Sequence, residues 1–450
     1  MLRSLRLFPY LLFFTTAATA AQSSERLTMA LTGDSIITRK LSVYEEPEFL
    51  EMIALIRGAD VAFTNVEMLF HDYESYPMAS SGGTYMRAQP ELAKELAWAG
   101  FDLGSLANNH SGDFGPKAML LSAQRVREAG ITAAGVGKSL AEAREAKFLE
   151  TTKGRIALVS VASTFPSHAT ASPSRDDIPP RPGLNPLRHE TTYHVSRERL
   201  ENLRATMREL SMNPPDDGDT LRFLRNRFVA SDRPDVVTEP DADDLRAIGA
   251  VVRNASRQAD YTIVAIHAHE GDKSRFVPAQ FLVAFARAMI DAGADVFVGH
   301  GPHVLRGIEI YRGKPILYSL GDFMFQNETL QRFPYENYAR FGLGEDQGLA
   351  DFNDARYKND SVGFPATPEI WESVVAMPVF EGGALVGLTL HPISLGFGEP
   401  RTVRGRPRFA DDALSRKIVE DLKRLSAPFG TDIDVVDGVG IVRLSGATSN

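Results

Sequence analysis

Phe101-Asp-Leu-Gly-Ser-Leu-Ala-Asn-Asn-His110-Ser-Gly-Asp-Phe-Gly-Pro116 decides how this chain is to be read. Residues 101–106 have the apolar character of a buried strand, and Ala107-Asn-Asn-His110 follows where the apolar run stops. Pro116 then opens a helical stretch that Gly130 closes, with proline inside the first turn and glycine past the last. The unit of strand, polar loop and helix recurs. Residues 27–32 form a predicted strand ending in Gly33-Asp34, and 47–57 a helix. Residues 60–64 form a strand ending at Asn65-Val66-Glu67, and 90–99 a helix between Pro90 and Gly100. Residues 155–162 are an apolar, β-branched strand. This alternation predicts crossover units around a largely buried sheet. The polar residues fall at the carboxyl ends of the strands, where open α/β sheets bind ligands.

The pattern breaks at residues 166–245, which are rich in Pro, Arg and Asp with one helical stretch near 197–210, and read as an insertion on the surface or over the site. It resumes with a helix at 245–258, a strand at 261–266, a helix at 278–292 and a strand at 295–298 before Gly299-His300. Residues 306–311 and 315–318 flank Arg312-Gly313, a hairpin turn. Residues 326–372 are a second, polar and aromatic excursion, and 373–450 add two strands and a helix that complete the domain. The expected organisation is one α/β domain over 27–325, interrupted by the insertion and finished by the C-terminal elements.

Composition excludes some classes of function. Hydrophobic and charged contents of 43% and 24% suit a globular protein, and no apolar run after the N-terminus is long enough to span a membrane. The formal charge of −9 argues against nucleic acid as the main partner. With no Cys there is no disulfide and no lipid attachment through a thiol, so any metal must be held by N and O ligands. Arg3, Arg6, the apolar residues 7–14 and Ala18-Thr19-Ala20 read as a secretion signal over residues 1–21, cut before Ala21 or Gln22. Export to the periplasm or the outside is the expectation.

Five polar clusters sit at predicted strand ends: Gly33-Asp34, Asn65-Val66-Glu67, Asn108-Asn109-His110, His267-Ala268-His269-Glu270 and Gly299-His300-Gly301-Pro302-His303. Each alone is weak, since a Gly-Asp is usually a turn and a buried His is usually a satisfied core residue. Together they hold five of the chain's 10 His, on strands that a parallel sheet brings to one edge. Carboxylate, amide and imidazole together suit one or two divalent ions such as Mn, Zn or Fe.

Leu31-Thr-Gly-Asp34, Thr64-Asn-Val-Glu67, the Ser105–Gly115 segment, Val298-Gly-His-Gly-Pro-His-Val304 and Gly313-Lys-Pro-Ile-Leu-Tyr-Ser-Leu-Gly-Asp-Phe323 stand in the order of the motifs of the CapA-type capsule and poly-γ-glutamate family. Arg181-Pro-Gly-Leu-Asn-Pro-Leu-Arg188 also resembles a family segment. That family is similar to calcineurin-like metallophosphoesterases. The resemblance implies a layered α/β sandwich of metallophosphoesterase type with surface insertions. It also implies metal ligands at Asp34, Glu67 (or Asn65), Asn109, His267, His300 and His303. His110 would be the general acid, with Asp113 bracing its loop. Ile36 stands where the first motif would have a His, and His269 or Glu270 would substitute for a late family Glu. Asn185 and Arg188, with Arg181, are candidate binders of an anionic substrate. The implied role is in making or exporting an anionic surface polymer, with membrane-bound capsule machinery as a partner. The alternatives are a periplasmic metal-dependent phosphoesterase or related hydrolase of unknown substrate, polymer or small molecule, and a scaffold or binding protein that keeps a relic site.

Overall fold

The computed structural model describes residues 26–215 and 217–444. It is a mixed α/β fold with several sheets, two of which position the site. In the larger sheet, the strands Arg26–Ile36, Val61–Asn65, Leu103–Ser105 and Thr132–Ala134 run parallel in that order. Glu372–Glu381 pairs antiparallel on the other flank of Arg26–Ile36, so the C-terminal strands complete this sheet. In the second sheet Gly154–Ala162, Tyr261–His267, Val296–His300 and Lys314–Leu317 are parallel neighbours.

Strand alternation builds the core. In Arg26–Ile36, Leu27, Met29 and Leu31 join a buried cluster that also takes Ile156, Leu158, Ile263 and Val298 from the second sheet. Ala30, between them, joins a different cluster with Phe49, Met52 and Ile56 of the helix Pro47–Arg57. On Gly154–Ala162 the same period of two sends Ala157, Val159 and Val161 against Ile248, Phe281 and Phe285, which come from the helices Ala242–Ala255 and Gln280–Asp291.

Three differences from the sequence pattern have physical causes. The strand clusters belong to two sheets rather than one, because hydrophobic periodicity reports which face is buried and not which strand is the neighbour. The first strand runs on past Thr32 to Ile36, because Asp322–Phe325 pairs parallel with its end. The 166–245 insertion holds a four-stranded sheet, from Thr220–Phe223, Asn226–Ala230, His189–Val195 and Asp235–Pro240, besides the expected helix at Arg197–Glu209. Its strands are mostly half-buried or exposed and carry many charges, so they lack the apolar run that marks a core strand.

The 326–372 excursion carries the helices Tyr335–Ala339 and Leu349–Tyr357. It is pinned by Arg404, which donates to both oxygens of Glu328 at 2.6 Å and to Asp360 at 2.9 Å. Among the described residues no helix is long and apolar enough to cross a membrane. The signal-like residues 1–21 lie outside the described residues.

Candidate metal centre

Register brings the clusters together. Asp34 is paired with Asn65 on one neighbouring strand and with Asp322 on the other. His267 is paired with His300 across the second sheet. The two sheet ends meet at Asp34, which is fully buried. Its Oδ1 accepts from Asn65 Nδ2 at 2.7 Å and lies 3.3 Å from His300 Nδ1 and 3.6 Å from His267 Nδ1. Its Oδ2 accepts from the backbone N–H of Gly301 at 2.9 Å and lies 3.8 Å from His303 Nδ1. Gly301 has φ +118°, and a Cβ there would lie 2.9 Å from the Ala268 nitrogen, so the loop comes this close to Asp34 on glycine geometry.

Glu67 closes another side. Its Oε1 lies 3.8 Å from His267 Nε2 and 3.7 Å from His110 Nε2. His267 Nε2 also meets His269 Nε2 at 2.9 Å. His110 is fixed from behind, because its Nδ1 is 2.7 Å from Asp113 Oδ2. Asp113 in turn accepts backbone N–H groups from Gly82 at 3.0 Å and Met86 at 2.8 Å. His303 adopts φ +57°, an unfavourable conformation for a non-glycine residue, and is held there by Asp322 Oδ1 at 2.8 Å. Its ring packs against Phe325 and Phe364.

Burial governs the charges. Burial pushes the Asp34 carboxyl up, but hydrogen bonds from His267 and His300 outweigh it and hold the group well below the carboxylate range. Burial raises Glu67 well above that range, reinforced by the charges of Asp34 and Asp322. Burial raises Asp322 to about 6, with His303 pulling the other way. Burial also depresses His267, to about 4, and depresses His269 well below the usual imidazole value. Both imidazoles are therefore neutral near pH 7 and keep a lone pair for a cation.

The donor atoms fit a divalent ion. Three groups have ligand atoms lying within 4.8 Å of one another: Asp34, His267 and His300; Glu67, His267 and His269; and Asp34, Glu67 and His303. Both Glu67 oxygens, Asn65 Oδ1, Asn109 Oδ1, His300 Nε2 and Asp322 Oδ2 are buried without a hydrogen-bond partner among the described residues. Buried acceptors are nearly always satisfied, so a concentration of orphans in one place points to a missing electron-pair acceptor. Nitrogen and carboxylate oxygen suit Zn, Mn or Fe.

The profile of the family described as "Bacterial capsule synthesis protein PGA_cap" matches residues 28–327, the span that carries these donors. The chain belongs to this family. The uncharacterized protein y4sH of Sinorhizobium fredii is 38% identical over 444 residues, 95% of each chain. The capsule biosynthesis protein CapA of Bacillus anthracis is 25% identical over 311 residues, 68% of this chain and 61% of that one. A probable polyglutamine synthesis accessory protein of Mycobacterium tuberculosis, Rv0574c, is 31% identical over 229 residues, 50% of this chain and 46% of that one.

All the charged residues of the centre lie within the family match, and the structure joins Asp34, Glu67, His267, His300, His303, His110 and Asp113 in one contiguous set. Asn109 turns its amide nitrogen to the Gly82 carbonyl at 3.0 Å, leaving Oδ1 free. Asn185 and Arg188 go elsewhere. The Asn185 amide donates to the Ser160 carbonyl at 3.0 Å and accepts from Arg144, and Arg188 forms a two-pronged ion pair with Asp244 at 2.7 and 2.8 Å. Arg181 is exposed and donates to the Thr170 carbonyl. Of the two possible substitutes after His267, His269 faces the cluster, while Glu270 bonds Ser163 at 2.7 Å and Thr164 at 2.9 Å. Asp322 is a site residue that the sequence pattern hides. It lies in the family-like Gly313–Phe323 segment, which assigns it no role, and what gives it away is its strand position beside Asp34.

Proposed function

We propose that this chain is an exported, metal-dependent hydrolase that serves the production of an anionic surface polymer of the poly-γ-glutamate kind. We further propose that its two main sheets form a layered α/β sandwich of metallophosphoesterase type. The shared core between the sheets and the separate helix-facing clusters support that architecture. The observation that carries the function is the set of orphaned buried acceptors around Asp34, Glu67, His267 and His300, next to an Asp-braced imidazole. Export rests on Arg3, Arg6 and Ala18-Thr19-Ala20.

Asp34, His267 and His300 would hold one ion, and Glu67, His269, His303 and Asp322 are the further donors available. The chemistry a divalent ion would supply there is polarisation of a substrate oxygen and a lowering of the pKa of bound water to about 7. The remaining chemistry belongs to the chain. Asp113 accepts at His110 Nδ1, which fixes the ring and leaves Nε2 as the atom that exchanges a proton, on the side facing Glu67. Asp113 also stabilises the imidazolium that forms when Nε2 takes a proton. His110 is thus placed to protonate a leaving group.

A scaffold reading has one observation in its favour: His267 meets both His300 and His269 within hydrogen-bond distance, an arrangement that needs no ion. Metal analysis with two classes of variant separates the readings. His267→Ala and His300→Ala should lose bound metal. His110→Ala should keep it and lose turnover by about 10²–10⁴-fold. If all three variants keep metal and leave polymer production and hydrolysis unchanged, the site is a relic.

A further inference from the structure

We propose that the cavity between residues 79–85 and the helices of the 326–372 excursion binds the anionic groups of the substrate, with Arg340 and Arg356 as its recognition residues. The inference rests on the reading that the metal centre acts on an anionic polymer. The cavity has a volume of about 570 Å³ and is lined by Gly82, Gly83 and Tyr85 on one side and by Arg340, Phe341 and Arg356 on the other.

Its position ties it to the metal centre. Gly82 accepts from Asn109 Nδ2 and donates to Asp113 Oδ1, both at 3.0 Å. A Cβ at Gly83 would lie 3.7 Å from His110 Cε1 and 3.9 Å from Nε2. A Cβ at Gly82 would come within 2.3 Å of the Asn109 carbonyl oxygen. The cavity and the proton-carrying imidazole are therefore neighbours across a glycine backbone. Phe364, from the same excursion, packs on His303, so the excursion borders the centre on that side as well.

The charges identify the ligand. The sequence has 58 acids against 49 bases, and arginines such as Arg404, Arg188 and Arg87 are engaged by carboxylates. The two cavity guanidiniums are not. Arg340 is exposed and its side chain has no partner among the described residues. Arg356 donates to Thr84 Oγ1 at 2.6 Å and lies over the Tyr357 ring at 5.0 Å. Glu336 shares the wall, which leaves two guanidiniums to one carboxylate. Guanidinium forks match carboxylates, and the edge-to-face pair of Phe341 and Phe352, 5.3 Å apart, offers an apolar surface for short methylene linkers. A flexible chain with a carboxylate on every residue has both features.

Isothermal titration of the metal-loaded protein against oligo-γ-glutamate, polyphosphate of matched charge and neutral oligo-γ-glutamine tests the assignment. The parent should bind oligo-γ-glutamate and ignore the neutral chain. Arg340→Gln should weaken binding about tenfold, and Arg340→Glu further, with metal content and circular dichroism unchanged. Parental affinity in both folded variants overturns the cavity assignment and leaves the metal-centre reading intact. Binding of polyphosphate alone overturns the carboxylate class. If the parent binds neither polyanion, the assignment falls together with the polymer substrate, while metal content and His110-dependent turnover of a small phosphoester still judge the centre by itself.

Discussion

Arg306 offers the sharpest test of how the centre is held. Its side chain is fully buried and donates to three backbone carbonyls: Arg275 at 2.8 Å, Ala268 at 3.3 Å and His269 at 3.1 Å. Two of these carbonyls belong to the loop that presents His269. Burial depresses the guanidinium to about 10, with Glu270 pulling it back up, so the charge is kept in a costly place. In Arg306→Met the three carbonyls lose their donors at about 1–3 kcal/mol each, or about 3–9 kcal/mol together. The variant no longer buries an ion; taking about 3 kcal/mol back for that from a mid-range loss of about 6 kcal/mol leaves a net loss of about 3 kcal/mol. Relaxation of the loop should also weaken metal binding by about 10–100-fold, the usual effect of removing a residue that orients a ligand. Urea unfolding of the metal-free protein measures the first number, and chelator competition on the folded protein measures the second. A variant that loses less than about 1 kcal/mol and binds metal as the parent does would show that the loop holds its shape without Arg306.

Two further changes probe the frame around the centre. Gly33→Ala would place a Cβ 1.8 Å from the Gly321 carbonyl oxygen, where neither backbone can yield cheaply, so denaturant unfolding should show a loss of about 3 kcal/mol or more; parental stability would contradict this close approach. Burial raises the Asp244 carboxyl, but Arg188 and Arg144 outweigh it and lower the group below its ordinary 3.8. A depressed folded-state pKa means that the stabilisation is present above the unfolded value and is lost as pH falls through the folded one. Asp244→Asn should therefore lower stability near neutral pH and flatten the decline on acidification, and parallel acid limbs for variant and parent would refute this.

The strand ends are legible because a parallel strand shows its two signals locally: an apolar run, then a polar residue where the chain leaves the sheet. That is how Asp34, Asn109 and His300 stand out. The neighbour of each strand is a property of the whole sheet, so the sequence does not reveal that Asp34 and His267 approach from different sheets. His269 and Glu270 show the same limit at a smaller scale. Both are suitable ligands on adjacent residues, and only the turn after His267 decides that the imidazole faces the cluster while the carboxylate braces Ser163 and Thr164. Arg188 qualifies as an anion binder by its guanidinium, and a partner 56 residues away, Asp244, engages it. Two guanidiniums without a carboxylate partner among the described residues, Arg340 and Arg356, sit in the 326–372 excursion, whose irregular pattern gives no hint of which side faces the centre.

Ile36 shows what the family likeness and the geometry say together. The resemblance places a histidine there, and its absence removes one imidazole from the end of the first strand. In the structure Ile36 is fully buried in the apolar cluster that holds Phe323 and Phe325, so apolar packing fills the space beside the end of the first strand. The strand that supplies those two phenylalanines also carries Asp322, in register with Asp34. On the proposed reading the two facts are linked. The parallel pairing that fills the Ile36 side with apolar groups also delivers a second carboxylate beside Asp34, with one oxygen on His303 and the other unpartnered. The second metal position would then be rich in oxygen donors, built from Asp34, Glu67 and His303, with Asp322 behind His303. Such a site favours harder ions than a histidine-rich one, and so leans toward Mn over Zn at that position.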